Sequence, residues 1–185
     1  MASPPESSDR NAPSPPDLQQ VYAELQQFRT SFATLLMATS NSAGEPDASY
    51  AAYIEEDGDF YCFLSELSIH TRNLRERPRV SALFIENEAS AGHLFARRRL
   101  IFTCEVEEVA RDSTRCEALL DRFAGQFGAL IATLRGLDDF HLFRLRPRHA
   151  RYVSGFAKAF VIDDVALAEI RHLRDQGHRR RASAG

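Results

Sequence analysis

The sequence predicts a mainly β fold in which six or seven antiparallel strands close into a small barrel, with helices between and around them. Apolar and polar residues alternate over short runs separated by turn residues, which is typical of half-buried strands. The chain lacks the regular alternation of strands and helices that builds a parallel sheet. Because barrel closure removes exposed sheet edges, a small closed barrel is the simplest arrangement of these strands.

The first element after a polar segment is a helix. Residues 1–17 contain five of the eight prolines and almost no apolar side chains, so we expect a disordered tail. Asp17 is a suitable N-cap for the helix, and apolar residues recur at helical spacing from Leu18 to Phe28. The predicted organisation is therefore a tail at 1–17, one domain at 18–175 and a C-terminal tail at 176–185.

The pattern then changes to strands. Residues 32–39 form an apolar run that ends in a turn at 41–44. Residues 47–54 and 59–64 flank an Asp-Gly turn, which predicts a β-hairpin. A short helix ends before Pro78, and a further strand is predicted at 79–86.

The second half repeats these signals around one long helix. Residues 99–109 show the clearest strand alternation. A helix over 114–134 carries one apolar stripe, with Thr114 to Glu117 as its capping box. Strands at 140–145 and 152–162 are separated by Pro147. Asp163 or Asp164 then caps a last short helix near 165–173.

Composition excludes several classes of protein. A chain of 185 residues suits one domain, and a formal net charge of −3 gives no indication of a nucleic-acid partner. No apolar run approaches the roughly 20 residues needed to cross a bilayer. The sequence also shows no secretory signal, so we expect a cytoplasmic protein.

The three cysteines favour the same compartment. Their number is odd, and no C-x-x-C pair is present. Cys62 and Cys104 lie in strand-like apolar runs, and Cys116 lies on the apolar face of a helix. We therefore expect buried, reduced thiols.

Residues 65–73 are the first candidate site. The chain lacks G-x-G-x-x-G, G-x-x-x-x-G-K-[ST] and H-E-x-x-H motifs. Thr71 lies near a helix start, where backbone N–H groups, a hydroxyl and guanidinium groups come together. Such a helix start can hold a phosphate or a carboxylate. The alternative is a capped connector with solvated arginines.

Two arginine-rich segments have an equally open meaning. Arg97, Arg98 and Arg99 open a strand, so Arg97 and Arg99 share one side while Arg98 faces the other. They are either a solvated rim or contacts for a ligand. The segment from 176 to 185 has the composition of a frayed terminus, in which His178 would be solvated.

Taken in order, three segments resemble a known family. Residues 65–74, residues 94–100, and His172-Leu173 with Gly177-His178 resemble the bacterial haem-utilisation proteins of the HutZ/HugZ kind. That family is a branch of the pyridoxamine-phosphate-oxidase-like split barrels, most of which bind FMN. The resemblance covers about residues 20 to 181. It implies a six- to seven-stranded antiparallel split β-barrel with flanking helices that is dimeric. The stripe on helix 114–134 would lie at the two-fold, and ligand sites would use both chains.

The resemblance also implies a haem site. His178 takes the place of the axial iron ligand, and Asp139 that of the carboxylate that hydrogen-bonds it. A carboxylate accepting the Nδ1–H makes the imidazole a stronger donor to iron. Arg99, with Arg98 beside it, would pair with a haem propionate or orient distal water, and His70 would act as a distal residue or a phosphate contact.

A flavin site is the alternative that the same family implies. The FMN phosphate would lie in the connection between the strands predicted at 59–64 and 79–86. The flavin would lie along the strand that contains Ser49 and Tyr50. The basic residue that the family carries on that strand is missing here. The function implied by the resemblance is oxidative haem degradation that releases iron. An FMN-dependent oxidoreductase or a non-catalytic haem carrier are the alternatives. The phosphate-contacting residues would be Ser65, His70, Thr71, Arg72 and Asn73.

Overall fold

The structure is a computed structural model that describes residues 17–156, 158–163 and 170–172. The described residues form four α-helices and eight strands. The helices are α1 (Leu18–Arg29), α2 (Ile69–Glu76), α3 (Thr114–Phe127) and α4 (Leu130–Arg135). The strands are β1 (Thr34–Ser40), β2 (Pro46–Glu56), β3 (Asp59–Ser65), β4 (Arg79–Ile85), β5 (Arg99–Glu108), β6 (Phe140–Gly155), β7 (Lys158–Ile162) and β8 (Ile170–His172).

Six of the strands close into a barrel. Their order is β3-β2-β1-β4-β5-β6, and β6 returns to pair with β3. Every pairing is antiparallel, and β7 and β8 extend the sheet beyond β6. The predicted fold class, a mainly β antiparallel barrel with flanking helices, is confirmed.

Aromatic residues fill the barrel. Phe60 lies between Tyr53, Phe84 and Phe102, with ring centroids 5.2 to 5.5 Å from its own. These side chains point inward because alternate residues of a strand share a face. The three cysteines are free and buried, as the sequence predicts. Burial raises the pKa of Cys104 to about 12, so this thiol stays protonated.

Two local predictions are confirmed in detail. The Asp17 carboxylate accepts a hydrogen bond of 2.9 Å from the backbone N–H of Gln19, as an N-cap should. In the β2–β3 hairpin, Asp57 and Gly58 have φ values of 54° and 81°. These left-handed conformations match the Asp-Gly preference of tight hairpin turns.

The long helix begins and ends differently from the prediction. Ser113 rather than Thr114 provides the cap, because its Oγ accepts a hydrogen bond of 3.1 Å from the N–H of Cys116. The helix also stops at Gly128, whose φ of 80° and ψ of −162° are open essentially to glycine alone. A separate short helix, α4, follows.

The apolar stripe of this helix was predicted to lie at a dimer two-fold, and that prediction is wrong. Helix α3 packs on the outside of its own barrel because the outer faces of β2, β3 and β6 offer apolar partners there. The resulting cluster includes Cys116, Leu119, Leu120 and Phe123 from α3 with Ile54, Tyr61 and Leu142 from the strands.

Pro147 does not separate two strands. Strand β6 is continuous from Phe140 to Gly155, and its pairing with β5 shifts register between Thr103 and Cys104. Proline, which lacks an N–H, is tolerated where a bulge interrupts the ladder. The strand predicted over 152–162 is therefore the end of β6, a turn after Gly155, and β7.

The C-terminal prediction fails in part. A helix was expected near 165–173, but Ile170–His172 forms β8 and pairs with β7. The open edge of β7 offers backbone N–H and C=O groups that these residues satisfy. Residues 164–169 and 173–185 lie outside the described residues, as do residues 1–16 of the tail predicted at 1–17. Within the described ranges, no helix has the length and hydropathy to span a membrane.

Candidate functional site

The predicted site residues fall at two ends of the barrel. The crossover, defined here as residues 66–78 between β3 and β4, packs through α2 on β1 and β2. Its Asn73 contacts Thr39 near the end of β1. Arg99 pairs with Ile85 at the end of β4 that lies beside the beginning of β1. Within one chain, the arginine segment and the crossover are therefore not brought together.

Asp139 and Ser65 do come together. The Ser65 hydroxyl donates a hydrogen bond of 2.8 Å to Asp139 Oδ2. The backbone N–H of Glu66 donates to the carbonyl oxygen of Asp139, also at 2.8 Å. These bonds extend the β3–β6 ladder by one step and hold a half-buried carboxylate at its end. Such a carboxylate can accept an N–H from a further partner.

Arg111 fixes the loop that carries Asp139, a role that no local sequence pattern indicates. Its guanidinium donates hydrogen bonds to four backbone carbonyl oxygens, at distances of 2.8 to 3.2 Å. A planar guanidinium with five N–H donors suits this task. The accepting residues are Arg135, Leu137, Asp138 and Phe140.

Thr71 and Asn73 have internal partners. The Thr71 hydroxyl donates to the carbonyl oxygen of Ser65 at 2.6 Å, and the Asn73 amide donates to Thr39 Oγ1 at 3.0 Å. Both side chains are almost fully buried, with 1% and 2% of their surface exposed. The N-cap of α2 is Ser68, so Thr71 lies inside the first turn rather than at its cap. Arg72 is exposed.

His70, Ser49 and Tyr50 differ in exposure. Burial lowers the pKa of His70, although the nearby Asp47 carboxylate opposes the shift, so the neutral imidazole is favoured. The Ser49 hydroxyl is shielded from solvent and has no hydrogen-bond partner among the described residues. Tyr50 lies on the opposite face of β2 and is 70% exposed. Asp47 was not predicted, because only the fold brings its charge near His70.

In the arginine segment, two of the three guanidiniums are already paired. Arg98 donates to Glu86 Oε1 at 2.8 and 2.9 Å, and its guanidinium lies over the ring of Phe28. Burial would raise the pKa of Glu86, but the hydrogen bonds from Arg98 outweigh it and hold this pKa below its ordinary value. Arg97 pairs with Glu88 at 2.8 Å. Arg99 donates to the carbonyl oxygen of Arg97 at 3.1 Å and has no ion pair within the described residues.

The predicted axial ligand lies outside the described residues. His178 belongs to the C-terminal segment that the structure does not describe, so its iron-binding role stays a prediction. The backbone of His172 pairs with Phe160 in β7, and its side chain is likewise outside the description.

Comparison with known proteins gives a consistent family. The pyridoxamine 5'-phosphate oxidase family matches residues 21–154. A relative from Vibrio cholerae, named heme oxygenase HutZ, is 36% identical over 157 residues, which cover 85% of this chain and 89% of the relative.

Solved structures agree with this match. The crystal structure of Vibrio cholerae HutZ, described there as a heme storage protein, aligns at 38% identity with a TM-score of 0.65. The alignment covers 68% of this chain and 88% of HutZ. Campylobacter jejuni ChuZ aligns at 28% identity with a TM-score of 0.80, over 91% of this chain and 68% of ChuZ. The barrel, the crossover and the sequence matches lead to one conclusion: the chain belongs to the pyridoxamine 5'-phosphate oxidase family and, within it, to the HutZ type.

Proposed function

We propose that this protein binds haem and degrades it oxidatively, releasing iron for use in the cytoplasm. The single observation that carries the proposal is the Asp139 carboxylate, which Ser65 holds at the end of the β3–β6 ladder. The 36% identity to a protein named heme oxygenase supports the same conclusion. Haem, when bound, supplies the iron at which oxygen is activated.

Individual residues of the chain have separate proposed roles in haem binding. His178 would bind the haem iron, and Asp139 would accept its free ring N–H. Ser65 donates to one oxygen of Asp139, and no other described side chain donates to this carboxylate. Arg99, whose guanidinium has no ion pair within the described residues, would contact a propionate, while Arg98 stays paired with Glu86 and supports its neighbour. His70 would contact the haem on the side away from His178.

A second copy of the chain completes the site in this proposal. The outer faces of β1 and β2 expose Leu36 and Tyr50, which are cross-strand partners and are 43% and 70% exposed. Leu83 of β4 and Ile101 of β5 continue the same row. This apolar face favours a homodimer. A dimer would also explain how Arg99 and the crossover, which lie apart in one chain, contribute to one ligand site.

Flavin binding is the second candidate, and one observation favours it. The shielded Ser49 hydroxyl, which has no hydrogen-bond partner in the part of the chain that the structure describes, lies on the strand along which FMN would lie. The phosphate site is less well supplied, because Thr71 and Asn73 already donate to Ser65 and Thr39. Arg72, at the surface, would be the main cation for the phosphate.

The deciding experiment is a parallel titration of the purified full-length protein with haemin and with FMN. We expect a saturable Soret band with haemin and no saturable change with FMN. His178→Ala should remove the spectrum of histidine-ligated haem, whereas His149→Gln, which changes an exposed histidine of β6, should leave it unchanged. Saturable FMN binding with only diffuse haemin adsorption would contradict the proposal.

Turnover then separates an enzyme from a carrier. The Vibrio relative is named an oxygenase, while its crystal structure is described as that of a storage protein. Adding ascorbate to the haem-loaded protein in air should bleach the Soret band and release iron. A stable Soret band would identify a haem carrier instead.

A further inference from the structure

Three large aliphatic side chains near Asp139 are exposed to solvent, and we name them the aliphatic patch. Leu67 is 89% exposed, Ile69 56% and Leu137 42%. Each lies within three sequence positions of the backbone hydrogen bond that joins Glu66 to Asp139. Single exposed apolar residues are common on protein surfaces, whereas a group of them marks an interaction site.

The backbone of Leu67 is fixed by the same residue that holds Asp139. The Ser65 hydroxyl accepts a hydrogen bond of 3.2 Å from the Leu67 N–H and donates one of 2.8 Å to Asp139 Oδ2. The Ser68 N–H and the Thr71 hydroxyl both donate to the Ser65 carbonyl oxygen, at 3.1 and 2.6 Å. The exposed leucine therefore stands on an ordered turn, so a ligand that covers it pays little to order the backbone.

The charged groups around the aliphatic patch disfavour a phosphate. Asp138, which is fully exposed, and Asp139 lie in the adjacent loop. Glu66 is ionised, because hydrogen bonds from Arg75 hold its pKa below the ordinary value. The guanidinium of Arg111 is engaged by backbone carbonyl oxygens of the loop. An anion would therefore meet carboxylates here, whereas an apolar ring system would not be repelled.

A ligand for this place needs a broad apolar face and a neighbouring group that donates a hydrogen bond to Asp139. Under the proposed function haem meets both requirements, because its porphyrin ring is flat and apolar and the imidazole on its iron carries a free N–H. We infer that Leu67 and Ile69 form a contact surface for the porphyrin ring, so that the crossover recognises the tetrapyrrole itself rather than its iron. Leu137 borders this surface from the loop of Asp139. This role rests on the proposed function and adds a determinant of specificity to it.

The test compares haemin with metal-free protoporphyrin IX, which has the same ring and propionates but offers no iron to a histidine. Both are titrated into the full-length protein, haemin by its Soret absorbance and protoporphyrin by its fluorescence. We expect the wild-type protein to bind both. Leu67→Ala keeps the backbone N–H that donates to Ser65. It should raise the Kd of both ligands by about 5- to 20-fold, because less apolar surface is covered.

Further variants make this result specific. Leu67→Met supplies another large apolar side chain and should restore the affinity for both ligands. Leu18→Ala, which trims a leucine of α1 that is 43% exposed, should leave both affinities unchanged. Asp139→Asn should weaken the binding of haemin only, because it acts through the imidazole on the iron. The sedimentation velocity of apo Leu67→Ala should match that of the wild-type protein.

Three results would overturn the inference: an unchanged Kd for protoporphyrin in Leu67→Ala, a wild-type protein that binds haemin but not protoporphyrin, or a variant that loses its ligands only together with a dimer. The last result would assign the aliphatic patch to a second copy of the chain. Failure of the proposed function is a separate result, because the wild-type protein would then bind neither porphyrin.

Discussion

At the scale of single residues, the site depends on contacts between positions far apart in the sequence. Asp139 and Ser65 are 74 positions apart, and Arg111 reaches carbonyls 24 to 29 positions away. Resemblance to a family could predict Asp139 because a motif carries it. Nothing local could predict the role of Arg111, since it arises only when the end of β5 and the beginning of β6 meet.

The Asp139 carboxylate provides the first residue-scale prediction. Asp139→Asn keeps the shape of the side chain but removes its charge, so under the proposed function the iron-binding imidazole would become a weaker donor. We expect haem turnover or haem affinity to fall about 10- to 100-fold, the usual effect of losing such a partner. The fully exposed neighbour Asp138, changed to Asn, is the matched control. Equal turnover and affinity in the two variants would remove Asp139 from the site.

The hydrogen bond of Asn73 provides the second residue-scale prediction. Asn73→Ala removes the amide that donates to the buried hydroxyl of Thr39 and leaves that group poorly satisfied. We expect the free energy of unfolding to fall by about 1–3 kcal/mol, measured by urea denaturation. Arg72→Ala, at the exposed neighbouring position, should change it by less than about 0.5 kcal/mol. If Asn73→Ala costs no more than this control, its hydrogen bond does not hold the crossover.

At the scale of elements, the type of each helix or strand was easier to predict from the sequence than its boundaries. The cap at Asp17 and the Asp-Gly hairpin were predictable because their signals are local. The break at Gly128 and the continuous β6 were not. A glycine in a helical pattern does not reveal its φ, and Pro147 breaks a strand unless the partner strand supplies a bulge.

Two glycines of the same helical region should therefore respond in opposite ways. Gly128→Ala forces a Cβ into a backbone region open to glycine and should destabilise the protein by about 1–3 kcal/mol. Gly125→Ala, inside α3 with open space around it, should stabilise by about 0.5–1 kcal/mol. Thermal unfolding of both variants tests this difference. A similar response at the two positions would show that no break is needed at Gly128.

Arg75 links α2 to β5 and gives the pH prediction. Because the pKa values of Glu66 and Glu108 are lowered in the folded state, their stabilising effect is complete above the ordinary value of 4.5 and is lost as the pH falls below it. Arg75→Gln should therefore lower the free energy of unfolding at neutral pH and have less effect in acid. Urea denaturation at a neutral and an acidic pH measures both. An equal loss at the two pH values would indicate a packing effect instead.

At the scale of the whole molecule, fold class was predictable and assembly was not. Alternating strands without a β-α-β pattern lead to an antiparallel barrel. The stripe of α3 was predicted to lie at a dimer interface, but it packs on the protein's own strands. An apolar stripe in a sequence indicates that a face is buried, but it does not identify the surface that buries it. Here the arrangement of the strands decides which surface covers α3.

The exposed row on β1 and β2 is the interface that we propose, and a charge placed there tests it. Leu36→Asp adds a carboxylate to the exposed face and should convert a dimer to a monomer, measured by sedimentation velocity. Leu18→Asp changes a leucine of α1 that is equally exposed, at 43%, and should leave the mass unchanged. A wild-type protein that sediments as a monomer would contradict the proposed interface.

The seam between β3 and β6 has a consequence for how the chain reaches this structure. Its partners are distant in sequence, for example Ser65 and Phe140, 75 positions apart. Bringing such residues together costs more chain entropy than forming the local β2–β3 hairpin, so non-local pairs tend to form slowly. The barrel therefore closes late in folding. Because Ser65 and Asp139 meet at the end of this seam, their contact is completed only when the barrel closes.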